Sequence, residues 1–180
     1  MSAAVCQLVD CGTDFMEIAF DSAEEALANQ EVPIGCVFVL DGREVVARGR
    51  NRVNETKNAC LHAEFVCLEQ ILASHGRQAL ARIDVYVTVE PCIMCASMFE
   101  QVGVRKIVYG AHNERFGGLG SVLNVLAPPD GEAKGAKLAS SIEIVSGVQK
   151  ERAVQLLKQF YQGENPNAPQ PKPKRKNKDS

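Results

Sequence analysis

Val89-Glu90-Pro91-Cys92-Ile93-Met94-Cys95, taken with His62-Ala63-Glu64 upstream, decides how this chain folds. Val85 to Val89 is β-branched and apolar, the composition of a buried strand. Pro91 follows, and proline suits the first position of a helix, where its missing N–H is not needed. Cys92 and Cys95 stand three apart, so a helix beginning here puts both sulfurs on one face of its first turn. The dipole and the unpaired N–H groups at that turn favour thiolate, the form that binds metal. His62 and Glu64 are two apart and inside a helix would point roughly 200° away from each other. They can address one point only if His62 sits at a helix N-terminus. Ala63, Val66, Cys67, Gln70 and Ile71 then supply that helix with one common face. The expected arrangement is two helix N-termini facing each other across a shared metal.

The donor set narrows the chemistry. One neutral imidazole and two thiolates make a zinc centre formally neutral and a weaker Lewis acid than three imidazoles would. A carboxylate able to take a proton from water is then more valuable, and Glu64 is the candidate. Left out of the ligand set, it keeps a fourth position open, which separates catalytic from structural zinc. A structural zinc, or buried thiols beside a stray histidine, is the plainer alternative, but it gives Glu64 no role. Cys60 and Cys67 flank His62 and could either close the site as a fourth ligand or be buried as small apolar groups. Cys6, Cys11 and Cys36 read as packing or surface thiols, and His75 as an exposed charge at a helix end.

The chain has 180 residues, 46% of them hydrophobic, enough for one core and one domain. The net charge of −2 is unevenly spread. From Gly163 onward five basic residues meet two acidic ones, so an acidic body carries a basic tail. Seven cysteines, with no secretory signal legible in Met1 to Asp10, suggest a reducing compartment. No apolar run approaches the roughly 20 residues of a membrane span, so no membrane partner is expected.

The spacing predicts a loose arm over 1–12, a single domain over 13–162 and a disordered basic tail over 163–180. Within the domain, Thr13 or Asp14 caps a helix running to about Asn29, with Met16, Phe20, Ala23 and Leu27 as its stripe. Ile34 to Leu40 is a strand covered on both faces, Asp41-Gly42 a hairpin turn and Glu44 to Asn51 its partner strand. Arg52 to Leu61 is a polar loop approaching the metal. The His62 helix ends before Gly76. Ile83 to Val89, the Pro91 helix and Lys106 to Tyr109 form a parallel crossover, with the ligands at the strand's C-terminal end. Residues 111–130 are too long for a mere connection and read as a binding or interface loop. A short strand (Ile142 to Val145) and a helix (Glu151 to Tyr161, with Val154, Leu157 and Tyr161 on one face) complete the order.

His-Ala-Glu followed by Pro-Cys-Ile-Met-Cys resembles the zinc-dependent nucleoside and nucleobase deaminases. Glu31-Val32-Pro33-Ile34-Gly35, Gly49-Arg50-Asn51-Arg52, and Asn113-Glu114-Arg115-Phe116-Gly117-Gly118 with Gly120-Ser121-Val122-Leu123-Asn124 resemble the tRNA adenosine deaminases. The ending Phe160-Tyr161-Gln162-Gly163-Glu164-Asn165-Pro166-Asn167-Ala168-Pro169 is similar to the catalytic subunits of the eukaryotic two-subunit enzymes that make wobble inosine. The resemblance implies an α/β protein: a three-layer α/β/α, cytidine-deaminase-like fold with a mixed five-stranded sheet and both zinc helices on one side. It implies Zn²⁺ held by His62, Cys92 and Cys95, with Glu64 as the catalytic acid/base in hydrolytic conversion of adenosine to inosine in a tRNA anticodon stem-loop. Asn51, otherwise a turn former, would hydrogen-bond the base, and Ile34, Ala63 and Pro91 would line its pocket. His112, Asn113, Glu114 and Arg115 would face tRNA or a partner, or else form a solvated loop. Lys172, Lys174, Arg175, Lys176 and Lys178 would grip tRNA, serve nuclear import, or simply be a solvated terminus. The implied partner is a homologous, inactive deaminase subunit in a heterodimer, with self-pairing still open, and the implied locations are nucleus and cytoplasm. Two other readings keep the same residues: a deaminase of free nucleobases or nucleotides, and a non-catalytic RNA-binding subunit with a structural zinc.

Overall fold

A computed structural model describes residues 14–127 and 142–163. The expected arm over 1–12 and nearly all of the basic tail lie outside the described residues. Helix α1 (Phe15–Ala28) is capped by Asp14, whose carboxylate accepts from the Met16 N–H at 2.9 Å. Strands β1 (Gly35–Leu40) and β2 (Glu44–Arg50) form an antiparallel hairpin, and both turn residues, Asp41 (φ 52°) and Gly42 (φ 69°), are left-handed. A single turn, α2 (Val53–Thr56), lies within the expected polar loop. Helix α3 (Ala63–Ser74) leads through a 3₁₀ segment (Arg77–Arg82) to β3 (Ile83–Val89). Then come α4 (Ile93–Val102), β4 (Lys106–Ala111), β5 (Glu143–Val145) and α5 (Lys150–Gln162).

The sheet order is β2-β1-β3-β4-β5. β1 is antiparallel to both β2 and β3, whereas β3, β4 and β5 run parallel. This is the expected mixed five-stranded sheet, and α4 is its short crossover. The period of two along β1 divides the core. Cys36 and Phe38 pack with Cys67 and Ile71 of α3 and Phe99 of α4, whereas Val37 and Val39 lie on the opposite face, against residues of α1. Met16 and Phe20 of α1 pack with Ala153 and Leu156 of α5 on that second face. Helices therefore cover both faces, and the two that start near the cysteines and histidine share one side. Among the described residues no helix is long and apolar enough to cross a membrane.

The inward face of α5 differs from the expected one. Ala153 and Leu156 are buried, whereas Tyr161 is 57% exposed. The helix is turned by about one residue, because the Arg152 guanidinium lies over the Phe20 ring at 4.4 Å and reaches Glu17 and Glu24. Arg152 thus takes a packing position that a hydrophobic count gives to its neighbours.

Gly35 marks the tightest contact between α1 and β1. A Cβ there would stand 1.9 Å from the Ala19 carbonyl oxygen and 2.6 Å from the Ala23 nitrogen, both rigid helix backbone. Gly35→Ala must push α1 off the sheet. We expect a loss of about 3 kcal/mol or more, seen in thermal melting as a fall of roughly 6–12 °C. A melting temperature equal to wild type would show that the helix can move without cost.

Candidate metal centre

Two chain reversals at the same edge of the sheet build the site. β3 ends at Val89, paired with Ala111 of β4, and the Glu90 N–H continues the ladder to the Ala111 carbonyl at 2.8 Å. Cys92 then caps α4 with extended backbone (φ −66°, ψ 167°). Pro91 therefore stands just before the cap, not at the first helical position as its sequence context suggested. The likeness to α3 is close: His62 is that helix's N-cap, also extended (φ −70°, ψ 160°). The expectation that His62 sits where the chain turns into a helix is met, and Glu64 follows in the first turn.

The His62 Nδ1 lies 3.6 Å from the Cys92 Sγ and 3.6 Å from the Cys95 Sγ. The three donor atoms all lie within 4.8 Å of one another. A tetrahedral zinc with bonds of about 2.3 Å to sulfur and about 2.05 Å to nitrogen requires an N···S separation of about 3.6 Å. The donor types and their spacing both fit zinc. Cys60 is exposed and stands outside this group. Cys67 is buried and its thiol donates to the Cys36 carbonyl at 3.2 Å, so neither cysteine closes the site as a fourth ligand.

Electrostatics divide the two sulfurs. The hydrogen bond from the Cys95 thiol, and next the one with His62, lower Cys92 to about 4 against the opposing effect of burial. That same bond, together with burial, pushes the Cys95 thiol far up. As protein groups alone, Cys92 is the sulfur with thiolate character and Cys95 the one that keeps its proton. The bond to Cys92 raises the His62 imidazole above its ordinary value, although burial opposes this.

Glu64 is 3% exposed. Its Oε2 is buried and has no hydrogen-bond partner among the described residues. Burial, then the nearby Cys92 sulfur, raises its carboxyl above the usual range, and His62 pulls the other way. An orphaned carboxylate oxygen inside a protein costs free energy unless something else meets it. Beside three zinc-type donors, it is placed to meet a water or a substrate proton.

The other expected residues are tied to the segments that carry the donors. Asn51 is 5% exposed at the end of β2, and the adjacent Arg52 N–H bonds the Leu61 carbonyl at 3.0 Å, which ties it next to His62. The Ile34 carbonyl accepts from the Asn51 N–H at 3.1 Å, and the Ile34 N–H is bonded to Val32, so the Ile34 backbone is largely engaged in holding Asn51. Ala63 is buried in the first turn of α3. The Pro91 carbonyl accepts from the Gly118 N–H at 2.9 Å.

Two buried acids near the site escaped the sequence reading. Glu90 is fully enclosed, and its carboxylate accepts from the backbone N–H groups of Asn113 (2.9 Å), Leu119 (3.0 Å) and Ser121 (3.2 Å) and from the Ser121 hydroxyl. Burial would raise its carboxyl, but these donors hold it below the ordinary range. Glu90 thus ties residues 112–121 along the segment that presents Cys92. The signal was a charged residue closing an apolar strand, which demands donors from elsewhere in the chain. The second is Glu31, also fully buried, bonded to the Asn51 amide at 3.0 Å.

The model of the cytidine and deoxycytidylate deaminase zinc-binding region matches residues 10–111. The chain is similar to the tRNA-specific adenosine deaminase 2 of Xenopus tropicalis, at 47% identity over 171 residues, 91% of this chain and 96% of that one. It is 37% identical over 161 residues to the tRNA-specific adenosine deaminase subunit tad2 of Schizosaccharomyces pombe, covering 89% of this chain and 40% of that one. Among solved structures, one from work on A-to-I editing by tRNA:A34 deaminases at the wobble position superposes with a TM-score of 0.71 and 34% identity, over 79% of this chain and 98% of that one. The guanine deaminase of Nitrosomonas europaea, at 17% identity and TM-score 0.66 over 88% of each chain, shares the fold alone. By sequence, fold and donor set, the chain belongs to the zinc-binding cytidine and deoxycytidylate deaminase family, on the branch of the tRNA-specific adenosine deaminases.

Proposed function

We propose that this chain hydrolyses adenosine to inosine at the wobble position of tRNA anticodons, as the catalytic subunit of a heterodimer with a homologous deaminase chain. The observation that carries the reaction is the unpartnered Glu64 Oε2 beside the His62, Cys92 and Cys95 donors. Those three residues would hold zinc, whose chemistry there would be to make a bound water acidic near neutral pH. Glu64 takes the proton of that water as its oxygen bonds to C6 of adenine. It delivers the proton to ring N1 and then serves the departing amine, so water and adenosine become inosine and ammonia. Burial of Glu64 makes its protonated form easier to reach, which suits a group that must both accept and return a proton.

The target base must leave its stack to enter such a site, and an anticodon loop makes this easier than a duplex because its bases are unpaired. Ile93, Phe116, Val122 and Leu123 support the partner reading. They are 37%, 58%, 50% and 51% exposed. They are joined where the Ile93 N–H meets the Phe116 carbonyl and the Val122 and Leu123 N–H groups meet Gly117. Clustered exposed apolar groups beside a site suit a protein interface. We assign the basic residues from Lys172 to Lys178 to tRNA phosphates on charge grounds.

The test is inosine formation on a tRNA transcript with a wobble adenosine, using the chain alone and the chain co-expressed with its homologous subunit. We expect product only from the pair. Product from the chain alone would keep the chemistry and replace the heterodimer by a self-pair. No inosine in either preparation, with zinc bound, would move the substrate to free nucleobases or nucleotides.

A further inference from the structure

Glu90 follows β3 directly, and its side chain is fully buried. Oε1 accepts from the N–H groups of Leu119 and Ser121, and Oε2 from the Asn113 N–H and the Ser121 hydroxyl. The His112 Nδ1 stands 3.5 Å from Oε2. The donors come from both ends of one loop, so the carboxylate gathers residue 113 and residues 119–121 around itself. Bonds to an ionised acceptor are the strong kind. Glutamine fills the same space but keeps a single acceptor oxygen, and its NH₂ would face N–H groups that need an acceptor. The charge is therefore part of what gives the loop its shape.

The same loop has a second attachment, on its inner side. The Gly118 N–H bonds the Pro91 carbonyl at 2.9 Å, the Ile93 N–H bonds the Phe116 carbonyl at 2.8 Å, and Cys92 and Gly117 pair between them as an antiparallel bridge. A metal donor thus sits in the middle of this short ladder. Two glycines let the backbones come so close. A Cβ on Gly117 would stand 2.6 Å from the Glu90 Oε1, and one on Gly118 would stand 2.7 Å from the Ala96 Cβ. On its outer side the loop carries Phe116, Val122 and Leu123, all exposed, with Ile93 of α4 joined to them. Exposed apolar groups are a cost that a lone chain can lower by rearranging the loop. A partner that covers them removes this cost and favours the arrangement in which the Cys92 segment is held.

We propose that Glu90 is a positioning residue that makes the apolar loop and the Cys92 segment one body, so that binding of the homologous partner chain and retention of zinc strengthen each other. This rests on the heterodimer reading above and adds a regulation of the site to it: the lone chain holds its metal less firmly than the pair. Linkage is reciprocal, so the factor that the partner adds to zinc affinity is the factor that zinc adds to partner affinity. Glu90 stands outside the group of metal donors and acts through the loop.

The test uses the full chain and its homologous subunit, with radioactive zinc loaded into this chain before mixing. The zinc Kd is read from competition with a chelator, for the chain by itself and with the subunit saturating. Wild type, Glu90→Gln and Ser121→Ala are compared, and the subunit Kd and the melting temperature are measured beside it. In wild type the subunit should lower the zinc Kd roughly tenfold, inside the range of about 5–150-fold usual for coupled sites. Glu90→Gln should bind the subunit roughly tenfold to a hundredfold more weakly. At saturation the subunit should then change its zinc Kd by less than about twofold. Ser121→Ala removes the hydroxyl donor and leaves the backbone donors in place, so it should fall between the two with an unchanged melting temperature, and it carries the test if Glu90→Gln does not fold. A merely structural role would weaken zinc equally with and without the subunit, whereas a positioning role removes the difference between them. The proposal is overturned if the subunit binds wild type and leaves its zinc Kd unchanged, or if the subunit tightens zinc as much in the folded variants as in wild type. Inosine formation by the pair in either case would keep the deaminase reading. Failure of wild type to bind the homologous chain would instead remove the heterodimer reading, and this proposal with it.

Discussion

Glu64→Ala should retain zinc and lose turnover. Nothing else among the described residues is placed to replace it. The other carboxylates buried near the site, Glu31 and Glu90, have their oxygens occupied by N–H and O–H donors, whereas the Glu64 Oε2 is unpartnered. General acid–base catalysis contributes about 10²–10⁴-fold per transfer, and Glu64 serves more than one, so single-turnover inosine formation should fall by about 10⁴-fold or more. His62, Cys92 and Cys95 are untouched, so metal analysis should still find zinc. Folding should not suffer either, because an unpartnered buried oxygen opposes stability and its removal relieves that cost. Glu64→Gln separates shape from chemistry: it fills the same space, cannot take a proton, and should be as inactive as the alanine variant. Measurable product from either variant, with zinc bound, would place the base elsewhere. Zinc loss in both would make Glu64 a ligand and close the position on which the mechanism depends.

The sequence made the site legible because its chemistry depends on local spacing. Cys92 and Cys95 must share a helix start, and His62 two residues before Glu64 can reach the same point only from an N-cap. Both inferences need only helix geometry, and both hold. The strands were legible for a similar reason, since Ile34 to Leu40 and Ile83 to Val89 are apolar runs bounded by turn residues. What escaped depends on contacts between distant segments. Glu90 looks like the polar end of a strand until residues 113–121 fold over it with their N–H groups. Glu31 looks like a solvated residue after a helix until Asn51, 20 positions later, arrives on the neighbouring strand end. The inward face of α5 was misplaced because Arg152 lays its guanidinium over Phe20, a use of arginine that a count of apolar residues does not register. The one-turn helix at Val53–Thr56 was missed because it is too short for any periodicity; the Glu55 N–H anchors it to Glu31.

Chelation should lower the melting temperature as well as the activity, because the ligands join two elements that otherwise meet only through the core. His62 caps α3 and Cys92 caps α4, and neither side chain makes the usual capping bond to its own helix. Zinc bound to the native arrangement and not to the unfolded chain stabilises it by mass action. At a free concentration of about 1,000 times Kd this amounts to roughly 4 kcal/mol, or about 8–16 °C in a domain of this size. A chelator should therefore lower the melting temperature by several degrees or more, and added zinc should restore both the melting temperature and inosine formation. Cys95→Ala should match chelated wild type in both respects and respond to neither chelator nor zinc. Cys67→Ala is the control, since Cys67 is equally buried but bonds Cys36 and stands outside the His62, Cys92 and Cys95 group. It should lose stability by an amount that reflects its packing, while keeping the full response to chelator. If Cys67→Ala lost the zinc response and Cys95→Ala kept it, the ligand set would be wrong, and the zinc would have to sit deeper, between α3 and β1.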